Sequence, residues 1–115
     1  MTQQEQPLGA EALDAALATM DGWSIADGAI ARTYQTDGWR VSMLVANAIG
    51  FICEAADHHA DVLVTWPRVR VTLSTHSAGG VTAKDLEVAR LIDAQLGWRP
   101  PAGSSLTGPK TPLVR

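Results

Sequence analysis

Asp61-Val-Leu-Val-Thr-Trp-Pro-Arg-Val-Arg-Val-Thr-Leu-Ser-Thr75 is the stretch on which the fold turns. Residues 61–66 and 68–75 both alternate and are rich in β-branched side chains. The Pro67 region is the only turn signal between them, so the stretch predicts an antiparallel hairpin. Side-chain alternation puts Val62, Val64, Trp66, Val69, Val71 and Leu73 on a core side, with His59, Asp61, Thr65, Arg70, Thr72, Ser74 and His76 on the other. A turn centred between Pro67 and Arg68 sets Trp66 opposite Val69, Val64 opposite Val71, Val62 opposite Leu73 and His59 opposite His76. Those two imidazoles then stand at a cross-strand pair's separation, about 4.5–5.5 Å between Cβ atoms. With His58 beside them, all three histidines of the chain gather at the open end of the hairpin.

Upstream, residues 9–20 place Leu13, Ala16, Leu17 and Met20 on one helical face, and Gly22 ends the run. Residues 23–25 and 30–36 read as two short strands joined by the turn signal Asp27-Gly28. From Gly38 to about Asp57 a second helix is expected. Its polar positions Arg40, Asn47 and Glu54 form a narrow stripe, while Val41, Met43, Leu44, Val45, Ile49, Phe51, Ile52 and Cys53 fill most of the remaining circumference. Such a helix buries more than the usual apolar stripe of about 100°, so one face is expected on the sheet and another on a neighbouring copy of the chain. Downstream, Thr82-Ala-Lys-Asp85 is a capping-box pattern opening a third helix, with Leu86, Ala89, Ile92 and Leu96 on its apolar face. The order αββαββα predicts an α+β fold, a four-stranded antiparallel sheet packed against three helices.

At 115 residues with 46% apolar content, the chain is expected to form one domain over residues 1–96 followed by a Pro/Gly-rich extension over 97–115. The extension holds four of the six prolines, is basic and lacks acids, and reads as a disordered or draped arm. A net charge of −3 leaves the body without the basic face that nucleic-acid binding requires. The polar start Thr2–Gln6 lacks the pattern of a signal peptide, and no segment is expected to match the roughly 18 apolar residues of a membrane span. A soluble cytoplasmic protein is therefore expected. Cys53 sits in an apolar run and reads as a buried thiol.

The residues alone leave the histidines' chemistry open between a metal site, an acid/base pair and polar rim residues. His58, His59 and His76 with Asp61 or Asp85 could in principle ligate zinc, but adjacent histidines rarely aim at one ion, and no Cys pair or H-E-x-x-H accompanies them. Imidazoles titrate near neutrality, which suits proton transfer. Asp85 also has a plain role as the third residue of a capped helix, and Glu54, four residues before His58, either orients an imidazole or belongs to the outward stripe. Trp39 and Trp66 are expected in the core.

At these residues the sequence resembles the pterin-4a-carbinolamine dehydratase family. The resemblance rests on Glu54-x-x-x-His58-His59, on Trp66 seven residues after the second histidine, on Val71-Thr-Leu-Ser-Thr-His76, on Asp85, and on Gly22-Trp23; it spans roughly residues 10–96. It implies the same α+β fold, assembled as a homodimer or homotetramer, and dehydration of a 4a-hydroxytetrahydropterin with no metal and no cofactor. By the resemblance, His59 and His76 form the acid/base pair, His58 binds and orients the pterin, and Asp85 supports the site. It also implies Glu54, Trp66, Ser74 and Thr75 as pterin contacts. Ala60 stands where the family usually carries proline, which leaves the corner after the histidine pair less constrained. Relatives of this kind also serve as non-catalytic partners, as assembly factors or as a transcriptional dimerisation cofactor, and this is the alternative the resemblance allows.

Overall fold

The structure is a computed structural model describing residues 5–115, so Thr2–Gln4 of the polar N-terminal run lie outside the described residues. Helix α1 (Ala10–Leu17) leads into β1 (Ser24–Ala26) and β2 (Ala29–Gln35), followed by α2 (Trp39–Ala56), β3 (Asp61–Val64), β4 (Arg68–Leu73) and α3 (Ala83–Leu96). The four strands form one antiparallel sheet in the order β1-β2-β4-β3. This is the predicted αββαββα fold.

Alternation decides which face of the sheet is covered. In β4, Val69, Val71 and Leu73 are buried while Arg68 and Arg70 are exposed. Against the buried set pack Val45, Ile49 and Cys53 of α2, Val88, Ala89 and Ile92 of α3, and Leu13 of α1. Cys53 is thus the buried thiol expected.

The hairpin register differs from the expectation by one pair. Val64 lies opposite Val69, Val62 opposite Val71 and Asp61 opposite Thr72. The loop is Trp66-Pro67, closed where Thr65 donates its N–H and its hydroxyl to the Arg68 carbonyl at 2.9 and 3.0 Å. Distant groups hold this turn: the Thr36 N–H donates to the Pro67 carbonyl at 2.8 Å, and the buried Ser42 hydroxyl donates to the Trp66 carbonyl at 3.0 Å. His59 therefore does not stand opposite His76, and Trp66 leaves the core side for the turn, 66% exposed. Trp39 is exposed as well, at 56%, so of the tryptophans discussed it is Trp23 that enters the core. Because β3 is an edge strand, Val62 and Leu63 are exposed too.

Helix α2 shows the two apolar faces expected. Val41, Val45, Ile49 and Cys53 are buried, while Met43, Leu44 and Phe51 stay exposed. At 18 residues and a mean hydropathy of 1.2, it is by length and composition apolar enough to cross a membrane, which the sequence reading did not anticipate. Here its buried face lies on the domain's own sheet and on α3.

A polar hub that the sequence reading missed ties α3 to the sheet. Asp93 accepts from Trp23 Nε1 at 2.8 Å, Arg32 Nη1 at 2.9 Å and the Tyr34 hydroxyl at 2.5 Å. Burial, reinforced by the adjacent Asp93, pushes the Tyr34 hydroxyl well above its ordinary range. The C-terminal extension is draped rather than disordered. Its last residue pairs with Gln35 through two backbone hydrogen bonds of 2.8 and 2.9 Å, and Arg115 Nη2 meets Asp37 Oδ1 at 2.7 Å. Three-residue β1 pairs only as far as Ala31 of β2, so Gln35 has a free side for that pairing.

Candidate active site

Two chain corners meet to form the site. The first is the end of α2, where Asp57 adopts the left-handed conformation at φ 53°. The helix then closes with Asp57 N–H donating to the Glu54 carbonyl and His58 N–H to that of Cys53, at 3.2 and 3.1 Å. His58 and His59 emerge directly from this reversal. Ala60, which follows them, packs partly buried against the core. Two backbone bonds and that packing therefore hold the corner without a proline ring.

The second corner follows β4. Thr75 and Gly80 bridge each other, so residues 76–79 form a closed loop whose first turn, His76–Ala78, is a short 3-10 helix. His76 is exposed at its tip. A cavity of about 350 Å³ opens between the corners, lined by Asp57, His58, His59, Ser74, Thr75, His76 and Ser77, and completed by Glu5 and Lys84. The three histidines thus converge as expected, across a pocket rather than across a strand pair.

The imidazoles are held differently. His58 is largely buried, and its Nε2 lies 2.6 Å from Oδ1 of Asp85, which is fully buried. The other oxygen of Asp85, Oδ2, accepts from the Thr82 N–H at 2.9 Å and the Thr75 hydroxyl at 2.8 Å. One oxygen of Asp85 therefore caps α3 in a complete capping box, and the other meets the His58 ring. Asp85 thus meets three polar partners, and Nδ1 is the His58 ring nitrogen that it does not engage. His59 is exposed, and its Nε2 lies 2.8 Å from Glu54 Oε1. Glu54 sits on the outward stripe, and its carboxylate meets the ring of His59 rather than that of His58.

One expected contact lies away from the pocket, and another lines it with its hydroxyl already engaged. Trp66 lies in the turn at the far end of β3 and does not line the pocket. The Thr75 hydroxyl is spent on Asp85 and Thr82, so Thr75 positions the carboxylate behind His58. Glu5, Asp57, Ser77 and Lys84 were not anticipated. Asp57 was the one within reach of sequence reasoning, since it immediately precedes the histidine pair. The hydrogen-bonded Lys84 ammonium holds the Glu5 carboxyl below its ordinary range, and Glu5 in turn raises Lys84.

No group of three His, Cys, Asp or Glu side chains suited to a metal occurs among the described residues, since His58 and His59 diverge toward separate carboxylates. A larger cavity of about 740 Å³ lies between the end of α3 and the C-terminal extension, with walls including Leu96, Trp98, Leu106 and Leu113. Among the described residues its only ionisable side chain is Arg99. Chemistry rather than size therefore singles out the histidine pocket.

The sequence pattern of the family described as Pterin 4 alpha carbinolamine dehydratase matches residues 6–95, which contain both corners. The chain belongs to this family. A relative from Paracoccus denitrificans is 44% identical over 92 residues, covering 78% of this chain and 86% of its own length. One from Aquifex aeolicus is 36% identical over 86 residues, covering 75% of this chain and 87% of its own. Both names assign pterin-4-alpha-carbinolamine dehydratase only provisionally. A crystal structure from Brucella melitensis, titled a transcriptional coactivator/pterin dehydratase, superposes with a TM-score of 0.73 at 32% identity, covering 77% of this chain and 97% of that one. The dehydratase family match ends at residue 95, so the extension over 97–115 lies beyond it.

Proposed function

We propose that this protein dehydrates a 4a-hydroxytetrahydropterin to the quinonoid dihydropterin, with His59 and His76 as the acid/base pair. One imidazole protonates the departing 4a-hydroxyl, which leaves as water as its C–O bond breaks. The other takes the proton of the ring N–H, and the electrons of that bond form the new C=N bond. One proton is delivered and one removed, so the pair serves without an added cofactor. His58, braced by Asp85, orients the pterin through its free Nδ1, with Ser74 beside it. The observation that carries this reading is the unequal tethering of the three imidazoles around one pocket: His58 is locked to a buried carboxylate, while His59 and His76 are exposed and open to exchange protons.

The test is a stopped assay of 4a-hydroxytetrahydropterin dehydration by the purified protein against the non-enzymatic rate. Turnover at the spontaneous rate would remove the enzyme reading. It would favour the non-catalytic alternative, a binding module acting as an assembly factor or dimerisation cofactor. The exposed Leu44 and Phe51 of α2, 51% and 75% accessible, support a homo-oligomer in either case, because a continuous apolar helix face in water calls for a partner.

A further inference from the structure

The proton transfers of dehydration need imidazoles, yet the pocket also holds a fixed cation. Lys84 is the one Lys or Arg among the described residues lining it. Its partner, Glu5, comes from outside α3 and from the far end of the chain: Glu5 Oε1 pairs with the Lys84 ammonium. The other Glu5 oxygen lies 3.4 Å from the Ser77 hydroxyl, a long contact.

The segment carrying Glu5 is anchored just beyond it. The Leu8 N–H donates to the Val81 carbonyl at 2.8 Å, and Pro7 packs close over Gly80. The carboxylate is therefore tethered two residues from a fixed point. Lys84 is 56% exposed and Glu5 26%, so separating them strands neither charge away from water. A carboxylate of the protein resting on the pocket's cation has the same chemistry as a carboxylate or phosphate carried by a ligand.

We propose that Lys84 is a specificity-determining residue that receives an anionic group on the substituent of the pterin, and that Glu5 is its tethered competitor. The inference rests on the pterin reading above and goes beyond it by naming the charge of the substrate. A neutral substituent leaves the Glu5–Lys84 pair in place; an anionic one displaces Glu5. Asp57 and Asp85 also act on Lys84 through space. They act with Glu5 against any incoming anion, so the ligand's anionic group has to compete with all three carboxylates for Lys84.

The test is calorimetric titration of the full chain with 6-hydroxymethyl-7,8-dihydropterin and with its monophosphate ester, ligands that differ only in the anion. Glu5→Gln removes the tethered competitor and should tighten the ester by about threefold or more relative to the alcohol. Lys84→Gln removes the charge-assisted contact and should weaken the ester by about tenfold relative to the alcohol. In the double variant the gain from Glu5→Gln should vanish. Circular dichroism checks that both surface variants fold. An ester-to-alcohol affinity ratio unchanged in both variants, with the alcohol still bound by the wild type, overturns this inference alone. Failure of the wild type to bind either ligand overturns the pterin reading and this inference with it.

Discussion

His58 Nε2 and Asp85 Oδ1 lie 2.6 Å apart, and the same carboxylate that receives the imidazole caps the helix from which it projects. The start of α3 and the orientation of a pocket histidine thus depend on one buried group. Asp85→Asn places an amide where a carboxylate meets three polar partners. The dehydration rate should fall by about tenfold to a hundredfold, the scale seen when a carboxylate orienting a metal-bound imidazole is removed. Thr82→Ala weakens the cap and leaves the His58 contact. It should cost about 1 kcal/mol of stability with the rate preserved within about threefold. Thermal melts read beside the assay separate the two effects, and equal rate losses in both variants would assign Asp85 to the helix alone.

His59→Ala and His76→Ala should each slow dehydration by about 10²-fold or more, the usual share of a positioned acid or base. Glu54→Gln, which keeps a hydrogen-bond partner for His59, should slow the reaction less than His59→Ala does. A near wild-type rate in either alanine variant would take that histidine out of the mechanism.

The exposed face of α2 predicts assembly, and burial tells which residues test it. Ile49 and Val45 are 0% and 3% exposed, so a lysine at either position faces the domain's own core, where an unpaired charge costs several kcal/mol or more and the chain unfolds. Leu44→Lys with Phe51→Lys should instead yield a folded monomer. Light scattering with circular dichroism distinguishes these outcomes. A wild type that is monomeric at micromolar concentration would defeat the interface.

Tyr34 makes the fold sensitive to alkali. Its folded pKa is raised well above the ordinary value of 10.0, chiefly by burial. The stability it confers is therefore fully present below pH 10 and is lost as pH rises toward the folded value, because only the unfolded chain releases the proton in that window. Denaturant midpoints measured from pH 9 to 11 should fall in the wild type and fall less steeply in Tyr34→Phe. At pH 8 the variant should be less stable by about 1–3 kcal/mol, through loss of the bond to Asp93. Parallel slopes would show that other groups govern the alkaline limit.

Much of this protein is written locally. The alternation of Val69, Val71 and Leu73 with Arg68 and Arg70 assigns the buried face of the sheet, because side-chain direction along a strand is a property of the backbone repeat. The Thr82–Asp85 pattern marks the start of α3 for the same kind of reason: a cap is satisfied within four residues. The apolar circumference of α2 and the convergence of His58, His59 and His76 were legible in the same way. The hairpin register was not, since a slip of one cross-strand pair keeps every side chain on its face and leaves the hydrophobic pattern unchanged. The choice fell to Thr36 and Ser42, which bond the Pro67 and Trp66 carbonyls from 31 and 24 positions away. Likewise, which carboxylate meets which imidazole, how Asp93 gathers Trp23, Arg32 and Tyr34, and why Glu5 rests on Lys84 were all decided by packing. These partners lie far apart in the chain and become neighbours only when the core closes, so no local period or spacing encodes them.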